Sequence, residues 1–264
     1  LVFSTSPAFS GLLDTYTGAA AAYSTRRLNS QYTGAAMRVR EDSGDTETDI
    51  GFDANGNLLT ADIATHCGSA NGYVTKWYDQ AASGGTGSGN DAEQSTKGSQ
   101  PKIYDGSAVI TENGKPALQS ATDHLIFSDV TSTDFCFINV QTWYPTDMAY
   151  GGASGTFGAY GLSTSTTRWR LSGVTSDFSF SASHGLQYLA VANRASNSLE
   201  VHFNGSSGGT KTNSGSAVLN VLMAGNGTSF NLFGRTQEFI IYSSDQSSNR
   251  SGIETDINNY FSIY

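Results

Sequence analysis

Short segments in which apolar and polar residues alternate recur along most of the chain. Clusters of Gly, Asn, Asp and Ser separate them, as expected for strands joined by turns. The segments interpreted as strands are 35–41, 73–78, 134–143, 167–172, 176–181, 186–193, 199–204, 219–224 and 236–243. Because each has one apolar face, two sheets must stack to bury these faces across a core about 10 Å thick. The pattern predicts an all-β fold, a two-sheet antiparallel jelly-roll sandwich.

Three segments depart from this alternation toward helix. Residues 18–29 contain four consecutive alanines, and residues 61–67 follow Thr60, a candidate N-cap. The segment 248–261 places four apolar residues on one helical stripe, namely Ile253, Ile257, Tyr260 and Phe261. We expect three short helices that cover edges or ends of the sheets.

The length of 264 residues fits one large β domain. The low-complexity stretch 81–90 reads AASGGTGSGN, and strand-like sequence resumes directly after it. Such a stretch is typical of a surface loop rather than of a domain linker. We find no internal repeat, and we predict a single domain over residues 1–264.

Charge and cysteine content narrow the function classes. Twenty-three acidic residues against fourteen Lys plus Arg give a net charge of -9, which disfavours nucleic acid as a partner. No apolar run approaches the roughly 18 residues of a membrane helix, so we expect no membrane insertion. Cys67 and Cys136 lie in apolar settings and are expected to be buried free thiols. The chain begins with Leu1, which suggests a processed product or part of a longer protein.

Sequence templates for nucleophilic catalysis and for metal binding match poorly. Gly205, Ser207 and Gly209 fit G-x-S-x-G, but a strand follows where a helix is required, so we interpret them as a hairpin tip. The four histidines form no zinc motif, and His202 is expected to be a packed strand residue. One acidic run offers oxygen ligands for Ca²⁺, although a solvated loop without metal is favoured. The run comprises Glu41, Asp42, Asp45, Glu47, Asp49 and Asp53.

Aromatic residues at strand ends are candidate contacts for sugars, because a ring face stacks on the apolar face of a pyranose or furanose. Trp143 and Tyr144 precede Pro145, and Trp169 lies between two arginines. We predict these three as glycan-binding residues, with core packing as the alternative for the tryptophans. Trp77, expected on one strand face with Tyr73 and Thr75, is predicted to be a core residue.

Longer stretches resemble a known family. Residues 22–53, the WYDQ at 77–80 leading into 89–91, and QPKIYDG with ITENGKPAL within 100–118 resemble the catalytic domain of the fungal and bacterial α-L-arabinofuranosidase B family. The resemblance implies a concanavalin-like β-sandwich, and the C-terminal sequence from 234 is similar to the last strand and helix of laminin-G-type sandwiches. Asp79 is expected to accept backbone N–H bonds, and Asn113–Gly114 to form a hairpin turn.

The resemblance also implies two catalytic carboxylates, a glutamate on a mid-chain strand and an aspartate after a Gly-Gly pair near the C-terminal strands. Residues 135–199 contain Asp147 and Asp177 but no glutamate, and Asn226 follows Ala224–Gly225 where the aspartate is expected. The family's adjacent cysteine pair is also absent. An amide cannot protonate a leaving oxygen, so we assign no catalytic residue and place Asn226 with the glycan-binding candidates.

These departures favour a non-catalytic module. The sequence also resembles tail-fibre, knob and capsid-appendage domains of bacteriophages, which implies a structural protein on the virion surface or outside the cell. Such a protein would assemble with itself, in trimers like many fibres, or with other virion proteins, and would recognise host-surface glycans. Two alternatives stay open: a secreted lectin-like adhesin, and an arabinofuranosidase-like glycoside hydrolase. The acids considered for the hydrolase are Glu200, Glu238, Asp177 and Asp79.

Overall fold

The computed structural model describes residues 9–81, 87–143, 157–163, 166–171, 178–181, 185–225 and 230–264; side chains are described outside 143–184 and 225–231. The strands are β1 (Ala19–Ser24), β2 (Met37–Glu41), β3 (Glu47–Ile50), β4 (Asn71–Trp77), β5 (Ala92–Glu93), β6 (Lys102–Asp105), β7 (Thr111–Glu112), β8 (Lys115–Pro116), β9 (Leu118–Ser120), β10 (Leu125–Ser132), β11 (Phe135–Trp143), β12 (Phe157–Ser163), β13 (Thr166–Leu171), β14 (Phe178–Ser181), β15 (Gln187–Ala195), β16 (Ser198–Phe203), β17 (Ser206–Thr212), β18 (Ala217–Leu222), β19 (Ala224–Gly225), β20 (Phe230–Asn231) and β21 (Gly234–Tyr242). The helices are α1 (Leu12–Thr15), α2 (Thr60–Cys67) and α3 (Arg250–Phe261), with a 3₁₀ turn at Lys97–Ser99.

The strands form the predicted antiparallel sandwich. One layer, the helix-side sheet, comprises β1, β21, β11, β15, β16 and β17; the other, the groove-side sheet, comprises β3, β2, β4, β5, β10 and β18, and β9 and β6 connect them. Alternate residues of both layers meet in one core, as Leu199, Val201 and Phe203 of β16 show. Tyr23 of β1 lies with its ring 6.0 Å from that of Trp77 in β4, across the core.

Helix α3 covers the second face of the helix-side sheet. Its stripe of Ile253, Ile257 and Phe261 is buried against strand residues that include Ile138 and Val191. The helix-side sheet is therefore apolar on both faces, which explains why β15 and β21 are buried along almost their whole length. The helices predicted over 61–67 and 248–261 are confirmed as α2 and α3, but the N-cap predicted at Thr60 is wrong, because Thr60 is the first residue of α2 and Leu59 is its N-cap. Within the described residues, neither these helices nor α1 is long and apolar enough to cross a bilayer.

The helix predicted over 18–29 is wrong, because residues 19–24 form strand β1. Alanine favours helices in isolation, but this segment pairs along β21 and is covered on both sides. Ala21 packs into the core between the sheets, and Ala22 packs in the apolar layer that contains the α3 stripe. Pairing with β21 and burial on both faces therefore override the local helix propensity of the alanines.

Strand β4 contains an extra residue relative to β2. Lys76 pairs with Arg38 whereas Val74 pairs with Val39, so Thr75 is a bulge. The bulge puts Val74 and Trp77 on the same buried face, so the expected grouping of Trp77 with Tyr73 and Thr75 is wrong. The core role of Trp77 is confirmed, since it is fully buried and its indole N–H donates to the Ser24 carbonyl.

Two predicted turns and the state of the cysteines are confirmed. Asn113 and Gly114 have φ of 45° and 71° between β7 and β8, the left-handed conformations of a two-residue hairpin. Asn204 and Gly205 have φ of 48° and 74° between β16 and β17, so the G-x-S-x-G sequence begins at a hairpin turn and continues into strand β17, and it is not a nucleophile elbow. Both cysteines are buried and free, as expected.

Candidate functional site

A polar groove crosses the outer face of the groove-side sheet. It consists of two adjoining depressions of about 400 and 500 Å³ that share residues 93–95. The first is lined by side chains that include Arg38, Arg40, Asp45, Lys76, Lys97 and Gln100, and the second by Gly89, Asp91, Ile126 and Ser128 among others. Alternation along β2 and β10 positions them, because Val39, Leu125 and Phe127 face the core.

A chain of hydrogen bonds forms one wall of the groove. Gln100 Nε2 donates to the Gln94 carbonyl at 2.9 Å, and Arg40 Nε donates to Gln100 Oε1 at 2.9 Å. Arg40 Nη1 then donates to Asp45 Oδ1, and Lys97 Nζ to Asp45 Oδ2, at 2.8 and 2.6 Å. Each donor in this chain has a defined acceptor, so these side chains are held in fixed positions before any ligand arrives.

Two carboxylates in the groove share one ammonium group. Lys76 Nζ lies 3.6 Å from Asp91 Oδ2 and 2.6 Å from Glu93 Oε1, so these two oxygens are separated by no more than the sum, 6.2 Å. The hydrogen bond to Glu93, with the nearby charge of Asp91, raises the pKa of Lys76. Carboxyl groups of a retaining glycosidase lie about 5–5.5 Å apart, but without a cation between them. In this state the three groups form a charge cluster rather than a nucleophile and acid.

Two tyrosine rings border the groove-side sheet, each facing cationic groups. The Tyr73 ring centre lies 5.1 Å from the Arg40 guanidinium carbon and 5.4 Å from Lys102 Nζ. Tyr78 donates its hydroxyl to Asp49 at 2.9 Å, and burial together with that bond raises the pKa of Tyr78 to about 12. The rings are therefore fixed by cation–π contacts and hydrogen bonds.

Five carboxylates of the acidic run, which extends from the end of β2 to just after β3, form hydrogen bonds with different partners. Glu41 accepts hydrogen bonds from Ser43, Gly44 and Thr46, which lower the pKa of its carboxyl group and close the turn. The other bonded carboxylates of the run are Asp42 with Asn71, Asp45 with Arg40 and Lys97, Asp49 with Arg38, and Asp53 with Asn57. The described residues contain no cluster of three or more His, Cys, Asp or Glu suited to a metal ion. The Ca²⁺ alternative gains no support from them.

Two of the acids considered for hydrolysis have structural roles. Glu238 is fully buried and accepts hydrogen bonds from Arg26 and from Ser24. Asp79, also fully buried, accepts backbone N–H bonds from Ala22 and Ala81, as predicted for this residue. Neither carboxylate can reach a sugar in the groove.

The other two acids considered for hydrolysis are Glu200 and Asp177. Glu200 lies on the face of β16 that turns away from the sandwich core, where His202 Nε2 is 2.9 Å from its Oε1. His202 is buried, which confirms its assignment as a packed strand residue. Asp177 and Asp147 lie outside the described residues.

The predicted glycan contacts are placed only at the level of strands. Trp143 ends β11 opposite Gly234, and Trp169 lies in β13 opposite Ala159 of β12. Strand β12 lies beside β18 and β19, and β18 pairs with β10 at the groove. Tyr144 and Asn226 lie outside the described residues, so all four assignments remain predictions. Sequence analysis missed the groove; its only sequence signal was the alternation of Arg38 and Arg40 with apolar residues.

A model of the α-L-arabinofuranosidase B catalytic domain matches residues 13–169, more than half of the chain. The chain belongs to this family. Three solved structures of arabinofuranosidases share its fold with a TM-score of 0.71, at 17–18% identity. They are a family 54 glycoside hydrolase soaked with a cyclic sulfate inhibitor, an enzyme complexed with arabinofuranosyl-α-1,2-xylobiose, and a glutamate-to-glutamine mutant soaked with 4-nitrophenyl α-L-arabinofuranoside.

The similarity to these enzymes covers 94% of this chain and 64% of each of theirs. At such low identity it establishes the fold alone. No curated protein matches the chain in sequence. The prediction of a viral tail-fibre, knob or capsid-appendage protein is wrong, since the matched family and these structures are arabinofuranosidases and nothing in them is viral. The resemblance to the arabinofuranosidase B family is confirmed.

Proposed function

We propose that this chain is an arabinofuranosidase-like glycoside hydrolase domain that acts on α-L-arabinofuranosides. The family match over residues 13–169 carries the proposal. The sandwich fold shared with three arabinofuranosidase structures is consistent with it. Action outside the cell belongs to the same proposal, because polymers that bear such sugars are too large to cross a membrane.

The groove supports this proposal through its chemistry. Sugar sites combine apolar or ring surfaces with a few fixed polar groups that bond hydroxyls. Here the exposed side chains of Asp45, Glu93 and Lys97 supply polar groups, and the exposed side chain of Ile126 supplies an apolar surface. The buried side chains of Arg40, Gln94 and Gln100 support them from below. Strand β18 pairs with β10 at the groove and lies beside β12, whose partner β13 contains the predicted sugar contact Trp169.

Hydrolysis needs two carboxyl groups on opposite sides of the glycosidic bond. Burial excludes Glu238 and Asp79 from this role. Asp177 remains a candidate from the sequence, and Asp91 with Glu93 becomes a candidate pair if a bound sugar displaces Lys76, since their nearer oxygens are at most 6.2 Å apart. These three carboxylates are the ones to substitute.

Release of 4-nitrophenol from 4-nitrophenyl α-L-arabinofuranoside tests the proposal, measured beside the matching xyloside, galactoside and glucoside. We expect turnover of the arabinofuranoside, lost in Asp177→Asn or Glu93→Gln and retained in Glu112→Gln. Glu112 is a matched control because its carboxylate pairs with Arg235 and does not line the groove. Absence of turnover with every glycoside would contradict hydrolysis.

The sequence favours one second candidate, a domain that binds arabinofuranosides without cleaving them. It lacks a glutamate over 135–199 and has Asn226 where an aspartate is expected. Affinity electrophoresis in gels that contain arabinan or arabinoxylan separates the candidates. Retardation without turnover supports binding alone, whereas neither retardation nor turnover contradicts both.

A further inference from the structure

We infer that His124 is a positioning residue of the groove: as a neutral imidazole it accepts a hydrogen bond from Gln94 and fixes that amide where the two depressions meet. The inference rests on the proposed function, since it concerns how the same groove binds its sugar. It follows from the orientation of one amide and one imidazole. His124 lies just before β10 and is not itself part of the groove lining.

The orientation of the Gln94 amide is set by a backbone group. Gln94 Oε1 accepts the N–H of Thr96 at 2.9 Å, so the NH₂ group must point the other way. Nε2 then lies 3.0 Å from His124 Nε2 and donates to the His124 carbonyl at 3.2 Å. Because an amide nitrogen only donates, the imidazole Nε2 must accept, and the ring proton is on Nδ1.

Few contacts are available to stabilise a positive charge on the His124 ring. Its backbone N–H donates to Ser99 in the 3₁₀ turn at 3.1 Å, and its Nδ1 is buried without a partner among the described residues. The neighbouring carboxylate of Asp123 favours a positive charge on the ring, and the ammonium group of Lys102 in β6 in turn interacts with Asp123. Lys97 of the 3₁₀ turn is bonded to Asp45. Burial lowers the pKa of His124, and Asp123 opposes this shift only in part.

Protonation of His124 would place two donors against each other. A second ring proton on Nε2 would face the Gln94 NH₂ at 3.0 Å, and a flipped amide would lose the Thr96 N–H. The Gln94 backbone carbonyl accepts from Gln100, which in turn accepts from Arg40, so the displaced amide adjoins the hydrogen-bonded wall of the groove. Sugar binding in the groove should therefore weaken as pH falls through the pKa of His124, which lies below its ordinary value near 6.5.

Calorimetric binding of arabinofuranosyl-xylobiose to the full chain between pH 7.5 and 4.5 tests this. We expect the wild-type affinity to fall at least fivefold over this range. His124→Gln supplies an acceptor that does not titrate and should keep neutral-pH affinity with a nearly flat profile, whereas His124→Leu should bind at least fivefold more weakly at every pH. His202→Gln is the matched control: that buried histidine lies on β16 of the helix-side sheet, outside the groove lining, and its substitution should leave the wild-type binding profile unchanged.

Nuclear magnetic resonance of the sugar-free protein gives an independent readout. We expect the His124 Nε2 nitrogen shift of an unprotonated acceptor at neutral pH, and a Gln94 side-chain NH₂ signal that titrates together with His124. A proton on Nε2 at neutral pH, or a Gln94 signal that ignores His124, would overturn the inference. If no sugar binds at any pH, the proposed function fails, and these spectra alone decide the role of His124.

Discussion

Arg26 and Glu238 form a buried, two-point ion pair that joins the end of β1 to the middle of β21. Arg26 Nε donates to Glu238 Oε2 at 2.7 Å and Nη2 donates to Oε1 at 3.1 Å. The second arm of the guanidinium reaches Asp256 of α3 at 2.8 Å. One arginine thus connects the strand that was expected to be a helix, the central strand of the helix-side sheet, and the C-terminal helix.

Substitution of Glu238 by Gln should strongly destabilise the fold. It would leave the Arg26 charge buried without its principal partner, and loss of one member of such a pair costs about 3–5 kcal/mol in unfolding free energy. Chemical denaturation monitored by circular dichroism measures this loss. Asp256→Asn is the control, because that carboxylate is 39% exposed and its pair should contribute only about 0–1 kcal/mol. Equal, small losses in both variants would contradict a structural role for Glu238.

The fold was largely predictable because its core follows local periodicity. Alternation gave the positions of β11, β15, β16 and β21, and the apolar stripe gave α3. The errors have a common cause in contacts between distant segments. The alanines of β1 form a strand because they pair along β21 and are buried between distant segments, and the Thr75 bulge moves Trp77 to the face of Val74.

The hairpin turn at Asn113–Gly114 should require glycine at position 114 because of its backbone conformation, and not because a side chain would lack space there. Gly114 has φ of 71°, and a Cβ there would meet no atom within 4 Å. Gly114→Ala should therefore lower the unfolding free energy by about 1–2 kcal/mol through left-handed backbone strain alone. Gly98→Ala is the matched control, since it has equal space and no left-handed φ, and should cause no loss. Thermal unfolding of the two variants compares them; equal stability would contradict the strain argument.

Substitution of Gln100 should lower both the stability of the protein and its affinity for a sugar in the groove. Gln100→Leu removes the acceptor of Arg40 Nε and the donor to the Gln94 carbonyl, both of which are deeply buried. Unpaired buried groups cost about 1–3 kcal/mol each, so we expect lower stability and about tenfold weaker binding of arabinofuranosyl-xylobiose. Gln119→Leu, at an exposed position of β9, should change neither. Unchanged binding in a folded Gln100→Leu protein would place the sugar elsewhere.

The groove itself could not be read from the sequence, because its members come from four separate segments. Arg40, Lys76, Gln94 and Gln100 meet through strand pairing and the β4 bulge, and no spacing between them marks a motif. Aromatic residues such as Trp143 and Trp169 are candidate sugar contacts by residue type alone, wherever they lie in the fold. Amides and charged side chains can be assigned to a binding site only when the structure shows which groups they pair with.

Stability should fall on mild acidification because of His202. Burial, with the nearby Arg250 charge, lowers the pKa of His202 in the folded protein, and Glu200 opposes this only in part. The unfolded chain, with a histidine pKa near 6.5, therefore binds more protons as pH falls below that value, and the folded state loses stability until pH passes the lowered pKa. Urea unfolding from pH 7.5 to 4.5 should show a smaller loss in His202→Gln than in wild type. Parallel curves for the two proteins would show that His202 does not titrate differently on folding.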